Sequence, residues 1–229
     1  SIGGAGYVCL GSGGNAIGPV LEVWQYDPAA DTWARKADFP GAARLGCAAV
    51  TCGEKAYAFG GDAGGHLAEL WEYDPAADVW TRKPDCPGGA RYLPAGFSIA
   101  GKAYFATGGT GDEATPLARD VWEYDPGAEH WTRRADLGGS ARAYAVGLAV
   151  GGRGYVALGI ASLSAPQPLT DVWEYDPQDD RWIARGRFGG PGRIMATGFS
   201  LGPDAYLGLG SASPTRSLSD VWRVRTIGD

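Results

Sequence analysis

The sequence predicts an all-β fold, a β-propeller of four-stranded antiparallel blades in which five blades are visible and the edge blades are incomplete. Two spaced series of tryptophans and one of tyrosines predict it. Trp24, Trp71, Trp122, Trp173 and Trp222 recur at intervals of 47, 51, 51 and 49 residues, each preceded by Val or Leu. A second series, Trp33, Trp80, Trp131 and Trp182, follows the first by nine. One tyrosine per unit (Tyr7, Tyr57, Tyr104, Tyr155, Tyr206) keeps the same phase. A period near 50 residues with this internal pattern marks a radial β-repeat in which each unit buries its faces against its neighbours.

The third repeat supplies the elements in order. Arg91–Ile99 is short, apolar and punctuated by glycine, as a strand buried on both faces should be. Gly101-Lys102 turns the chain into a second strand, Ala103–Thr107, which ends at Gly108-Gly109. A loop of variable length leads to Asp120–Tyr124, where alternation places Trp122 and Tyr124 on one face and Val121 and Glu123 on the other. Asp125-Pro126 opens a turn, with Asp at the first corner and Pro pre-set for the second. The fourth strand runs around His130–Arg133, and the unit closes at Asp136-Leu137-Gly138. All nine tryptophans and the tyrosine series are assigned to packing in the wedge-shaped seams between blades.

Applied along the chain, this template divides it into blades at about 1–40, 41–87, 88–138, 139–189 and 190–229, one domain throughout. The strand types do not balance. Second and third strands occur five times, complete first strands four times, beginning at Arg44, Arg91, Arg142 and Arg193, and fourth strands four times. Ser1-Ile2 matches the end of a first strand, Ser98-Ile99, and the last unit stops after Val221–Val224 without an Asp-Pro turn. The expectation is a piece of a longer chain, with something covering its edge blades.

The motif Trp-Glu-Tyr-Asp-Pro at 71–75, 122–126 and 173–177, the aromatic second strand ending in glycine at Ala56–Gly61, and the Thr-Trp or Val-Trp of the fourth strand with its following Arg resemble the kelch repeat. The resemblance covers essentially the whole chain and is closest to bacterial, often exported, kelch proteins. It implies a kelch-type propeller of six or seven blades, a non-catalytic protein–protein interaction or scaffold role, and an extracellular, cell-surface or periplasmic location. The alternatives it leaves open are a carbohydrate-binding propeller and a kelch-type sugar epimerase working through channel carboxylates and arginines. The family's double glycine stands at Gly60-Gly61 and Gly108-Gly109 but reads Gly159-Ile160 and Gly210-Ser211 later, which puts turn geometry there in question.

Composition narrows the function classes. A formal net charge of −6 without clustered Lys or Arg argues against nucleic acid. No run of about 18 apolar residues is present to insert into a membrane. Cys9, Cys47, Cys52 and Cys86 contain no Cys-x-x-Cys, and with only His66 and His130 no zinc-ligand spacing exists, so neither metal nor cofactor is expected. The cysteines read as small packing residues, with a disulfide as the alternative. No Ser-His-Asp or Cys-His grouping suggests catalysis, and both histidines read as exposed.

Connections between second and third strands (62–69, 110–119, 160–170, 211–219) vary in length and share one face with the links that enter each first strand. That face is the candidate binding surface. Arg44, Arg91, Arg142 and Arg193 belong to it, with Tyr92 as the residue that breaks the repeat (Leu45, Ala143 and Ile194 elsewhere). Guanidinium groups there would attract carboxylate or phosphate. Because the arginine recurs, the competing expectation is structural: capping carbonyls of its own blade or pairing with Asp38, Asp85 or Asp136. The expected partner is another protein, with a glycan second.

Overall fold

The computed structural model describes residues 1–11, 18–114, 116–213 and 215–224; residues 12–17 of the first blade, 115 and 214 in two variable connections, and 225–229 at the end of the fifth blade lie outside them. No helix occurs among the described residues. The first blade is β1 (Gly6–Cys9), β2 (Val23–Asp27) and β3 (Thr32–Lys36). The second is β4 (Ala48–Cys52), β5 (Lys55–Phe59), β6 (Leu70–Asp74) and β7 (Val79–Lys83), and the third β8 (Ala95–Ile99), β9 (Lys102–Ala106), β10 (Val121–Asp125) and β11 (His130–Arg134). The fourth is β12 (Val146–Val150), β13 (Arg153–Ala157), β14 (Asp171–Asp176) and β15 (Arg181–Arg187). The fifth is β16 (Thr197–Leu201), β17 (Asp204–Gly208) and β20 (Val221–Val224), with a small hairpin, β18 (Ser211–Ser213) and β19 (Arg216–Ser217), between the last two.

Every blade is an antiparallel meander in chain order, so five blades of three or four strands make an all-β propeller. The innermost strands β4, β8, β12 and β16 pack side by side. They line a central channel with Ala49, Thr51, Gly96, Ser98, Gly147, Ala149, Gly198 and Ser200, beside Ser1 and Ile2. Glycine at 147 is required by proximity: a Cβ there would come within 2.5 Å of the Gly96 carbonyl oxygen.

The seams are the core. Phe97 of the third blade meets Tyr175 and Trp182 of the fourth, and Phe59 of the second meets Phe105 and Trp131 of the third. Three of the four fourth-strand indoles then reach back one blade: Trp80 Nε1 donates to the Ala37 carbonyl, Trp131 to Pro84 and Trp182 to Ala135. Burial with a satisfied N–H is what seats an indole in an apolar seam. The far side of the fifth blade and the near side of the first lack this cover. Phe199 is 48% exposed where the equivalent Phe97 is 2%, and Trp33 is 54% exposed where Trp131 is 6%.

All four cysteines are free thiols, with Cys52 and Cys86 buried. Burial pushes the thiols of both up to about 12, which keeps them protonated packing groups.

The glycine register differs from the expectation. The pairing of Leu45 with Asp62, Tyr92 with Gly109, Ala143 with Ile160 and Ile194 with Ser211 makes Gly61, Gly108, Gly159 and Gly210 equivalent. Gly60 therefore corresponds to Thr107, Leu158 and Leu209, and the two double glycines sit one residue out of phase with each other. The recurring glycine lies at φ 84 to 100°, and its N–H at 61, 108 and 159 donates to the carbonyl of the next blade's Arg91, Arg142 or Arg193. The last two blades thus have the same turn as the others.

Candidate functional site

Arg44, Arg91, Arg142 and Arg193 do stand at the entrance to the inner strands, but they are buried there, Arg142 and Arg193 fully. Arg142 donates from Nε to the Ser140 carbonyl (3.1 Å), from NH1 to the Leu158 carbonyl (3.1 Å), and from NH1 and NH2 to the two Asp171 oxygens (2.8 and 2.6 Å). Arg44 engages Ala42, Gly60 and Glu69; Arg91 engages Ala90 and Asp120; Arg193 engages Pro191, Leu209 and both oxygens of Asp220. The acids are therefore Glu69, Asp120, Asp171 and Asp220. The expected Asp38, Asp85 and Asp136 instead form exposed pairs with Arg35, Arg82 and Arg133, three residues earlier. The reason is direction: the arginine side chain runs under the next turn toward the start of its blade's third strand, away from the end of the preceding fourth strand.

Each acid also accepts the indole N–H two residues later, Trp71 to Glu69, Trp122 to Asp120, Trp173 to Asp171 and Trp222 to Asp220. Burial alone would raise the Asp171 carboxyl, but the Arg142 and Trp173 hydrogen bonds outweigh it and hold it below the usual carboxylate range. The Arg193 and Trp222 hydrogen bonds do the same for Asp220. The first-series tryptophans thus pack and pin at once: a Cβ at Gly88 would meet the Trp122 indole, and one at Gly138 the Trp173 indole.

Sequence reasoning missed a second charged layer. Glu72, Glu123 and Glu174, in the middle of β6, β10 and β14, are buried. Tyr57 donates to Glu72 (2.6 Å) and Tyr155 to Glu174 (2.8 Å), while Lys55, Arg134 and Arg185 supply the charge. These tyrosines are thus hydrogen-bonded supports as well as packing groups. The available signal was the acid between Trp and Tyr in every Trp-Glu-Tyr.

On the long-loop face, the variable connections are exposed at several positions, Leu163 among them, and a second accessible group stands where the chain enters the inner strands. Two residues after each buried arginine, Gly46, Leu93, Tyr144 and Met195 adopt a left-handed backbone (φ 54 to 65°), which turns the chain sharply into the inner strand. Met195 is 65% exposed, and Leu45 is exposed beside Gly46. Tyr92 is half-buried: it stacks on His66 with centroids 5.3 Å apart, and its ring edge lies where a Gly46 Cβ would fall. Burial raises the Tyr92 hydroxyl, with Tyr144 and Asp62 adding to it, so those groups share one neighbourhood. His66 is less exposed than expected because of that stack; its Nε2 lies 3.3 Å from Asp62 Oδ2 and its Nδ1 is shielded. His130 is exposed. Among the described residues no three His, Cys, Asp or Glu side chains gather as a metal site.

Repeated blades pinned by an Arg–acid–Trp unit around a central channel define a β-propeller. The Kelch motif model matches residues 43–87, the second blade. A solved structure titled "Structure of YjhT" superposes with a TM-score of 0.82 over 99% of this chain and 80% of that one, at 16% identity, a likeness of fold. No curated protein matches the sequence. The chain is an all-β propeller of five blades, and its second blade matches the Kelch motif.

Proposed function

We propose that this propeller is a non-catalytic protein-interaction module that binds a partner through the channel lip on its long-loop face. The observation that carries this reading is the run of Leu93, Tyr144 and Met195, one per blade, with Leu45 beside it. Aromatic and Met side chains at the centre of a polar surface are what interface cores are made of. A module of this kind fits the kelch propeller fold.

A glycan platform is less well supported. A sugar needs an open aromatic face, and Tyr92 already stacks on His66. An epimerase reading gains little from the channel, whose described lining residues include none of the carboxylates and arginines that reading invokes.

A photo-crosslinking residue at Met195, compared with one at Ala77 in an Asp-Pro turn of the opposite face, tests the proposal in the native host. The Met195 position should yield the dominant cross-linked product. For the partner so identified, Met195→Asp and Tyr144→Asp should each weaken binding by about tenfold or more. Equal yields from both faces, or unchanged affinity in both variants, would overturn the assignment.

A further inference from the structure

The seam between the first and second blades repeats the geometry of the later ones and carries a thiol on each side. In three successive seams the repeat tyrosine of one blade meets the third-strand tyrosine of the next: Tyr7 with Tyr73, Tyr57 with Tyr124 and Tyr104 with Tyr175, at centroid distances of 6.0, 5.9 and 5.7 Å. Side chains alternate between faces along a strand, so the residue two positions after each repeat tyrosine points into the same seam. That residue is Cys9 in the first blade, Phe59 in the second, Ala106 in the third and Ala157 in the fourth. Across the seam stands the residue just before the next blade's inner strand, which is Cys47, Pro94, Ala145 or Ala196 in turn. Ala106 and Ala145 belong to one packed cluster, and Ala157 and Ala196 to another. Only in the first seam are both positions cysteine.

A disulfide needs Cβ atoms roughly 3.5–4.5 Å apart, the separation of two alanine methyls in van der Waals contact. Cys9 and Cys47 are free and half-buried, whereas Cys52 and Cys86 are buried. The Cys9 thiol is pushed up to about 11, first by burial and then by the neighbouring Cys47 thiol. Burial raises Cys47 as well, but the Arg44 guanidinium works against that rise. Cys47 is therefore the thiol that reacts first, because the thiolate is the attacking species.

We propose that Cys9 and Cys47 are an oxidation site, converted by a small disulfide oxidant into a bond that staples the first blade to the second. The Cys47 thiolate attacks one sulfur of the oxidant, which forms a mixed disulfide and releases the first thiol. Cys9 gives up its proton and attacks the Cys47 sulfur, which releases the second. The two thiol protons and two electrons pass to the oxidant, which leaves as two thiols. The bond ties the entrance of the second inner strand, with Gly46 next to Cys47, to the first blade. It depends on the seam and not on what the lip binds, so it stands or falls independently of the function proposed above.

The test incubates the folded 229-residue protein with oxidised glutathione at mildly alkaline pH, then counts thiols after denaturation and maps peptides without reduction. Two of the four thiols should be lost to one bond within the chain. Tm should rise by about 5–15 °C and fall back on reduction. Trypsin leaves Cys47 and Cys52 on one peptide, so variants separate them: Cys52→Val should keep the bond, and Cys9→Ala and Cys47→Ala should each abolish it. Alanine stands at both equivalent positions in two later seams, so the last two variants should fold. Four free thiols after oxidation, glutathione held on Cys47 with no bond to Cys9, or a bond that persists in Cys47→Ala would overturn the site. A bond that forms without raising Tm would overturn the staple.

Discussion

Removing one buried guanidinium should cost this propeller far more than removing one on its surface, and Arg142 is where the difference is best measured. Its side chain is fully buried and makes four hydrogen bonds, two of them bidentate to Asp171. Arg142→Met keeps apolar bulk but leaves the Ser140 and Leu158 carbonyls short of a donor and Asp171 without its cation. Breaking a buried pair from one side costs roughly 3–5 kcal/mol. Asp171 is 33% exposed and keeps the Trp173 N–H, which places the expected loss near the lower end, about 3 kcal/mol. For a chain of this size that lowers Tm by about 6–12 °C. Urea titration at pH 7 followed by tryptophan fluorescence should show it. Asp171→Asn should cost less, and the double variant should fall short of the summed single losses by about 1–3 kcal/mol, because the second change removes a partner already stranded. Arg133→Ala, which breaks an exposed pair with Asp136, should stay within about 0.5 kcal/mol. An Arg142→Met loss no larger than the Arg133→Ala loss, or strict additivity with Asp171→Asn, would refute the pinning role.

Two further outcomes follow from the turns and the titrating groups. Gly159 lies at φ +85°, and a Cβ there would come 2.4 Å from the Ala143 carbonyl oxygen, whereas Gly202 at φ +59° has open space around it. Gly202→Ala should therefore cost about 1 kcal/mol, the left-handed penalty alone, and Gly159→Ala clearly more; equal urea midpoints would contradict the close approach. Glu69, Glu72, Glu123, Glu174, Asp171 and Asp220 all have carboxyls held below their ordinary range, so their contribution is complete above pH about 5 and is lost as pH falls through about 4 and below. Tyr57, Tyr104, Tyr155 and Tyr175 have hydroxyls raised first by burial and then by their carboxylate partners, so their contribution is complete below pH about 10 and is lost above it. Stability against pH should thus show a broad plateau with losses at both ends, and a urea midpoint unchanged from pH 7 to pH 3.5 would contradict the acid arm.

The strands were legible because an aromatic at a fixed phase marks each of them: the third-repeat strands expected at 103–107 and 120–124 are observed as Lys102–Ala106 and Val121–Asp125. The glycine register could have been read too, since Gly11, Gly61, Gly108, Gly159 and Gly210 each stand four residues after the repeat tyrosine. Matching the doublet instead of counting from the tyrosine displaced it. The acid two residues before each tryptophan (Glu22, Glu69, Asp120, Asp171, Asp220) was equally periodic, but its meaning depends on Arg142 reaching a residue 29 positions away, which only the closed blade provides. The channel lip left no mark in composition. Its left-handed positions are occupied by Gly46, Leu93, Tyr144 and Met195, and the backbone strain at the last three is imposed by the surrounding bridges, with no glycine to signal it.

A contact that recurs at every blade does the same work in every blade, and a ring of identical groups gives a partner no preferred orientation. The Arg–acid–Trp units and the Tyr–Glu layer are of that kind, and their burial accounts for their repetition without a ligand. Specific recognition must draw on positions where the repeat is broken but the scaffold is not. The lip meets that condition: Gly46, Leu93, Tyr144 and Met195 share one backbone conformation and differ in side chain. There the rigid framework is set by the repeated contacts and the selectivity by the exceptions to them, so substitutions at the exceptions should change binding while leaving the urea midpoint almost where it was.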